Sequence, residues 1–328
     1  MVFQKMYLSF VIITVATMFI PLSGAKAAPS GNLVIFHAGS LSVPFMKLEQ
    51  EFEKRYPGVD ILRESGGSTK MARLIRDVGR RADIFASADY TVIDGLLIPD
   101  YADWEIRFAS NQLVLCYTDK SRYADKVNSD NWFEILLKKD VMWGHADPNV
   151  DPCGYRSLMV MQLAERFYKK PGLYNKLMAS RRRRNIRPKS VELISLLNTG
   201  NLDYAWEYLS VAVQHDLKFV RLDDRINLGN PAYDDFYKNA QVKVTGKIPG
   251  TWMIKRGRAC IYGVTILKNA SNKEAAEAFL SYLLDPKGGV KILRKLGQPP
   301  LIPCETGSKK MYDKIPDSIK RFVKLPSK

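Results

Sequence analysis

Two acidic residues stand out by the company they keep. Asp151 lies in HADPNVDPCGY, residues 145–155, and Glu207 in YAWEYLSVA, residues 204–212. In the first stretch Asp147, Pro148, Asn149, Asp151, Pro152 and Gly154 make a rigid turn. Cys153 begins the next helix, so its N–H is expected to be unpaired and open to a ligand. Asp147 has the ready structural task of a turn or capping residue. Asp151 is therefore the better ligand candidate, with a second capping role as the alternative. Glu207 stands between Trp206 and Tyr208. Strand alternation turns it either to water or into a pocket, and local pattern leaves both readings open.

Two serine-bearing turns offer complementary chemistry. One is HAGSLS, where Gly39 permits a tight turn and Ser40 or Ser42 opens the following helix; the other is ESGGSTKMARLI, with Gly66, Gly67 and Ser68 ahead of a helix. Such junctions aim unpaired backbone N–H groups and the positive end of the helix dipole at one point, which suits an anion. A serine here also serves as a plain N-cap. Two such turns in succession, both beyond the carboxyl ends of strands, favour one shared cleft.

The elements that must hold these residues alternate. Residues 32–37 read as a strand, and 41–56 as a helix with Leu41, Phe45, Leu48 and Phe52 at spacings of three and four, stopped by Pro57 and Gly58. Strand 59–63, helix 70–78 and strand 83–86 follow, and repeated units of this kind predict a largely parallel sheet with helices on both faces. Later come strands 112–117 and 141–144 and helices 156–167, 191–197 and 273–284. With 328 residues, 46% of them apolar, the chain can fill two ordinary cores. There is no internal repeat and no low-complexity linker. A two-lobed α/β protein fits.

Residues 1–24 read as an export signal: Lys5 flanks an apolar run over 6–22, and Ala25, Lys26 and Ala27 make a small-x-small cleavage site ahead of Ala28. The competing reading is an uncleaved anchor, but the run only reaches the ~17-residue lower limit for a span and holds Thr14, Thr17 and Pro21. No cysteine lies nearby to carry a lipid. Periplasmic or other extracytoplasmic placement of a soluble mature chain, cleaved near Ala27/Ala28, is expected. The formal net charge is +16, and removing 1–27 takes away only Lys5 and Lys26. So large an excess favours anionic partners. Nucleic acid fits poorly, because the basic residues are scattered rather than aligned with aromatics. The run Arg181 to Arg184 reads as a solvated face, with docking to a membrane partner or acidic lipid as the sharper alternative. Cys116, Cys153, Cys260 and Cys304 allow three pairings or buried free thiols, and with no CxxC element a zinc site does not fit.

The blocks FHAGSLSVPF, SGGSTKMARLI, DIFASADY, FASNQLVLCYT, ADPNVDPCGYRS, RPKSVELISLLNTGNLDYAWEYLSVAVQH, INLGNPAY, YGVTILKNA and GQPPLIP stand in this order. In them the chain resembles the tungstate/molybdate-binding proteins of ABC importers, from about residue 32 to 303. The resemblance implies a type II periplasmic-binding-protein fold with the oxyanion in the cleft between lobes. It also implies a metal held octahedrally by four oxo oxygens and two carboxylate oxygens, here from Asp151 and Glu207. Hydrogen bonds to the oxo groups then come from Gly39, Ser40, Ser68 and the backbone at Cys153, with Tyr208 as a lesser contact. Leu209 departs from the pattern, since an arginine is common at its place.

Carboxylates in an anion site have a physical rationale. They repel sulfate and phosphate, whose small central atoms do not take two more ligands, whereas molybdenum or tungsten expands its shell and coordinate bonds offset the repulsion. The two metals are nearly the same size, so these residues serve either. The expected activity is capture without catalysis or cofactor, by a monomer that delivers the ion to a membrane permease. A binding protein for sulfate, thiosulfate or phosphate is one alternative. A secreted hydrolase with Asp151 and Glu207 as acid and base is another, but the chain has no GxSxG, no HExxH and three histidines. Expected lobes are 28–111 with 257–328, and 112–256.

Overall fold

The computed structural model describes residues 28–248 and 250–326, so the export signal expected over 1–27 lies outside the described residues. Two sheets organise the chain. The first has six strands in the order Pro300–Glu305, Ile106–Asn111, Cys260–Ile266, Ile84–Ser87, Gly31–Ala38 and Val59–Gly66. The second has five, in the order Ile186–Arg187, Trp143–Ala146, Tyr204–Tyr208, Leu113–Tyr117 and Lys218–Arg221. A separate antiparallel hairpin pairs Gln241–Thr245 with Trp252–Arg256.

Strand alternation in Gly31–Ala38 sets up two faces. Leu33 and Ile35 pack on one side with Phe45, Leu48 and Phe52 of the helix Ser42–Arg55 and with Phe279 and Leu283 of the helix Lys273–Leu284. Phe36 packs on the other with Met71, Ala72 and Ile75 of the helix Ser68–Arg76. The apolar spacing read from residues 41–52 is thus the buried stripe of a helix.

The sheets are mixed rather than largely parallel. Gly31–Ala38 runs parallel to both its neighbours, as successive strand–helix units require. Cys260–Ile266 is antiparallel to Ile84–Ser87 and to Ile106–Asn111, with Cys260 opposite Asn111. The reason is the path between lobes. Ile106–Asn111 carries the chain out of the first sheet, Leu113–Tyr117 enters the second, and Cys260–Ile266 brings it back, so the outgoing and returning strands must run in opposite directions. Against the second sheet the helix Pro152–Phe167 is buried from Pro152 to Met161 and surfaces only in its last turn. All four cysteines are buried free thiols. No helix among the described residues is long and apolar enough to cross a membrane.

Candidate functional site

Both serine turns leave their helices without a side-chain cap. Gly39–Leu41 forms one short turn of 3-10 helix before Ser42–Arg55, and neither segment has a capping side chain. The buried Ser40 hydroxyl instead meets the Tyr262 hydroxyl at 2.8 Å. The helix Ser68–Arg76 starts after Gly67, again with no side-chain cap. Ser68 Oγ accepts the Ala88 N–H at 3.0 Å, which leaves its own proton to donate. Uncapped helix starts beside buried hydroxyls are poised for an outside acceptor.

Asp151 does cap its helix. Its Oδ1 accepts the Cys153 N–H at 2.8 Å and its Oδ2 the Ser190 N–H at 3.0 Å. The Cys153 N–H, expected to be unpaired, is therefore taken by Asp151 itself, because a carboxylate at the N-cap is the nearest acceptor. Asp147 holds the turn as expected, accepting the Asn149 N–H at 2.8 Å. Glu207 is fully buried, because Tyr204–Tyr208 is a central strand covered on both faces and alternation has no wet side to offer it. Its Oε2 accepts the Tyr208 N–H at 3.3 Å, and its Oε1 has no partner among the described residues.

Both acids are held above the usual carboxyl range, and Glu207 feels the charge of Asp151. Burial, and then the charge of Asp151, raise the Glu207 carboxyl to about 8, opposed by hydrogen bonds from the Tyr208 backbone and the Ser190 side chain. Burial raises Asp151 to about 6, opposed by the Ser190 and Cys153 N–H groups and by Arg156 and Lys189. Neither acid makes an ion pair among the described residues. Nor do those residues hold any group of three or more His, Cys, Asp or Glu side chains able to bind a metal. Two acids are too few to cage a bare cation. They suit a centre that brings most of its own oxygens.

The lobes close over this site. Val150 O accepts the Lys70 N–H at 3.1 Å, and a Cβ on Gly67 would sit 2.3 Å from the same oxygen. A Cβ on Gly39 would come within 2.8 Å of Lys189 Cγ, and Lys189 Nζ reaches Ser65 Oγ at 3.5 Å. Gly39, Ser40 and Ser68 therefore come from the first lobe, and Asp151, Cys153 and Glu207 from the second. Sequence reasoning missed Lys189, Ser190 and the buried Arg156. Lys189 and Ser190 adjoin a helix start in a basic stretch and give no local sign of contact with the acids. His37 and His145 are buried and neutral, each held down to about 4 chiefly by burial. Arg181 of the basic run donates toward His145 Nε2 at 2.9 Å, while Arg182, Arg183 and Arg184 are exposed. Leu209, in the place of the common arginine, is half-buried against the core.

Two mixed sheets joined by crossing strands, with the Gly39 and Gly67 turns of one lobe packed against Lys189 and Val150 of the other, make the two-lobed fold of a solute-binding protein. The chain belongs to the bacterial extracellular solute-binding protein family, whose model matches residues 33–297. It is 48% identical over 295 residues to a solute-binding protein of Petrotoga mobilis, covering 90% of this chain and 91% of the relative. It is 40% identical over 329 residues to the molybdate/tungstate-binding protein WtpA of Pyrococcus abyssi, covering 92% of each. Among solved structures it shares its fold with the periplasmic molybdate-binding protein of Azotobacter vinelandii, with a TM-score of 0.58 and 19% identity over 81% of this chain and 98% of that one.

Proposed function

We propose that the protein captures tungstate or molybdate outside the cytoplasm and delivers it to the membrane permease of an ABC importer. The observation that carries this reading is the buried pair Asp151 and Glu207. Two buried carboxyl groups without an ion-pair partner, the one raising the proton affinity of the other, are destabilising unless something between them needs oxygen ligands. A molybdenum or tungsten centre does. The relative named for these ions in Pyrococcus abyssi supports the assignment.

In this reading Asp151 and Glu207 each give one oxygen to the metal. Gly39, Ser40 and Ser68 donate to oxo groups from the first lobe. On binding, one Asp151 oxygen turns to the metal and releases the Cys153 N–H to an oxo group. Each charge-assisted bond contributes about 1.5–3 kcal/mol. Capture is non-catalytic, needs no cofactor and is the work of a monomer. The lobes are 28–111 with 257–328, and 112–256, and the signal 1–27 is removed near Ala27/Ala28.

Titration calorimetry of the mature protein against tungstate, molybdate, sulfate and phosphate tests the reading. Tungstate and molybdate should bind, and sulfate and phosphate should not. Asp151→Ala or Glu207→Ala should each weaken tungstate binding by about 100-fold or more, roughly 2.7 kcal/mol. Unchanged or improved affinity in Asp151→Ala would point to a lighter oxyanion instead.

A further inference from the structure

Asp89 and Arg156 meet across the two lobes. Asp89 caps the helix Tyr90–Leu96 of the first lobe, its Oδ1 accepting the Thr91 N–H at 3.0 Å. Its Oδ2 accepts the Tyr155 hydroxyl, Arg156 Nη2 lies 3.7 Å from Oδ1, and Lys255 Nζ lies 3.9 Å from Oδ2. Tyr155 and Arg156 belong to the helix that begins after Asp151. Asp89, Tyr155 and Arg156 are all buried. Burial alone would raise the Asp89 carboxyl, but Arg156, Lys255 and the Tyr155 hydroxyl outweigh it and hold it at about 2.

Arg156 also holds both halves of the ligand site. Its Nη1 donates to Ala88 O at 2.6 Å and to the Tyr208 hydroxyl at 2.8 Å. The Ala88 N–H is the one that bonds Ser68 Oγ, and Tyr208 directly follows Glu207. One guanidinium is thus a single step from the serine turn of the first lobe and from the acid strand of the second.

We propose that Asp89 and Arg156 are positioning residues that hold the cleft shut around the bound oxyanion and contribute nothing to holding the open form. The inference rests on the capture reading above. In an open cleft both charges are hydrated. Closing strips that water, and a buried pair stripped of water roughly breaks even against its Coulomb attraction. The pair therefore fixes the closed geometry without locking it, and the ligand tips the balance. Removing one charge leaves the other buried and uncompensated in the closed form alone, so the loss falls on ligand retention.

Stopped-flow dissociation of tungstate, small-angle scattering and thermal unfolding of the mature protein test this. Asp89→Asn keeps the size of the side chain and should release tungstate about tenfold faster or more, leaving the unfolding temperature of the ligand-free protein nearly unchanged. The double variant Asp89→Asn with Arg156→Gln should release it more slowly than Asp89→Asn alone, because the Arg156 guanidinium is no longer left without its counter-charge. Lys255→Met should shift the rate in the same direction by less. An unchanged dissociation rate in Asp89→Asn, or an equal fall in ligand-free stability, overturns the proposal. Should the wild type bind none of the four anions, the capture reading fails by itself. Scattering without ligand then decides the pair: Asp89→Asn should be more expanded than the wild type, and equal dimensions overturn it.

Discussion

Glu207 is the group whose proton responds near neutrality. An unfolded chain ionises it near pH ~4, whereas the fold holds its proton to about 8, chiefly through burial and the charge of Asp151. Between those values the folded state binds more protons than the unfolded one, so stability falls as pH rises and changes no further above about 8. Asp151, raised to about 6, adds the same trend over the lower part of the window. Thermal unfolding of ligand-free protein from pH 5 to 8.5 should show this decline, at most about 1.4 kcal/mol per pH unit for each group, and Glu207→Gln should flatten it. A rise of stability over that range would mean the carboxylate is paired in solution. The Ser190 N–H bonds Asp151 and the Ser190 side chain opposes the rise at Glu207, a role invisible in the sequence because it depends on a contact 39 residues from Asp151.

At the level of elements, two glycines separate closure from folding. A Cβ on Gly67 would lie 2.3 Å from Val150 O in the other lobe, and one on Gly154 would lie 2.4 Å from Ala146 O within its own. Gly67→Ala should therefore weaken tungstate binding while sparing the ligand-free unfolding temperature, and Gly154→Ala should lower that temperature by the several degrees that ~1–3 kcal/mol of overpacking implies. Calorimetry and thermal scans distinguish the two, and an equal effect of both changes on the ligand-free scan would remove Gly67 from the closure contact. Helix Ser42–Arg55 is legible in the sequence because its stripe of Phe45, Leu48 and Phe52 repeats at helical spacing, and all three are buried. Strand direction is not legible. Alternation looks the same in parallel and antiparallel pairs, and the path that returns Cys260–Ile266 against Ile106–Asn111 is a property of the whole chain. Nor does alternation place Glu207, whose strand has no exposed face.

For the whole molecule, the four thiols report how tightly both lobes are packed. Burial pushes Cys260 and Cys304 up to about 12 and holds Cys116 and Cys153 well above the usual thiol range, so each is both hidden and unreactive. A thiol reagent should label none of them in native protein and all four after unfolding, as mass spectrometry would show; rapid native labelling would reveal an opening that the closed form does not display. In the proposed site both acids, Asp151 and Glu207, come from the second lobe and the serine turns from the first. An ion arriving in the gaping molecule can thus be interrogated on its willingness to accept extra oxygens before any movement is spent on it. On the proposed reading discrimination precedes enclosure, and a sulfate refused by the acids never meets the serine turns.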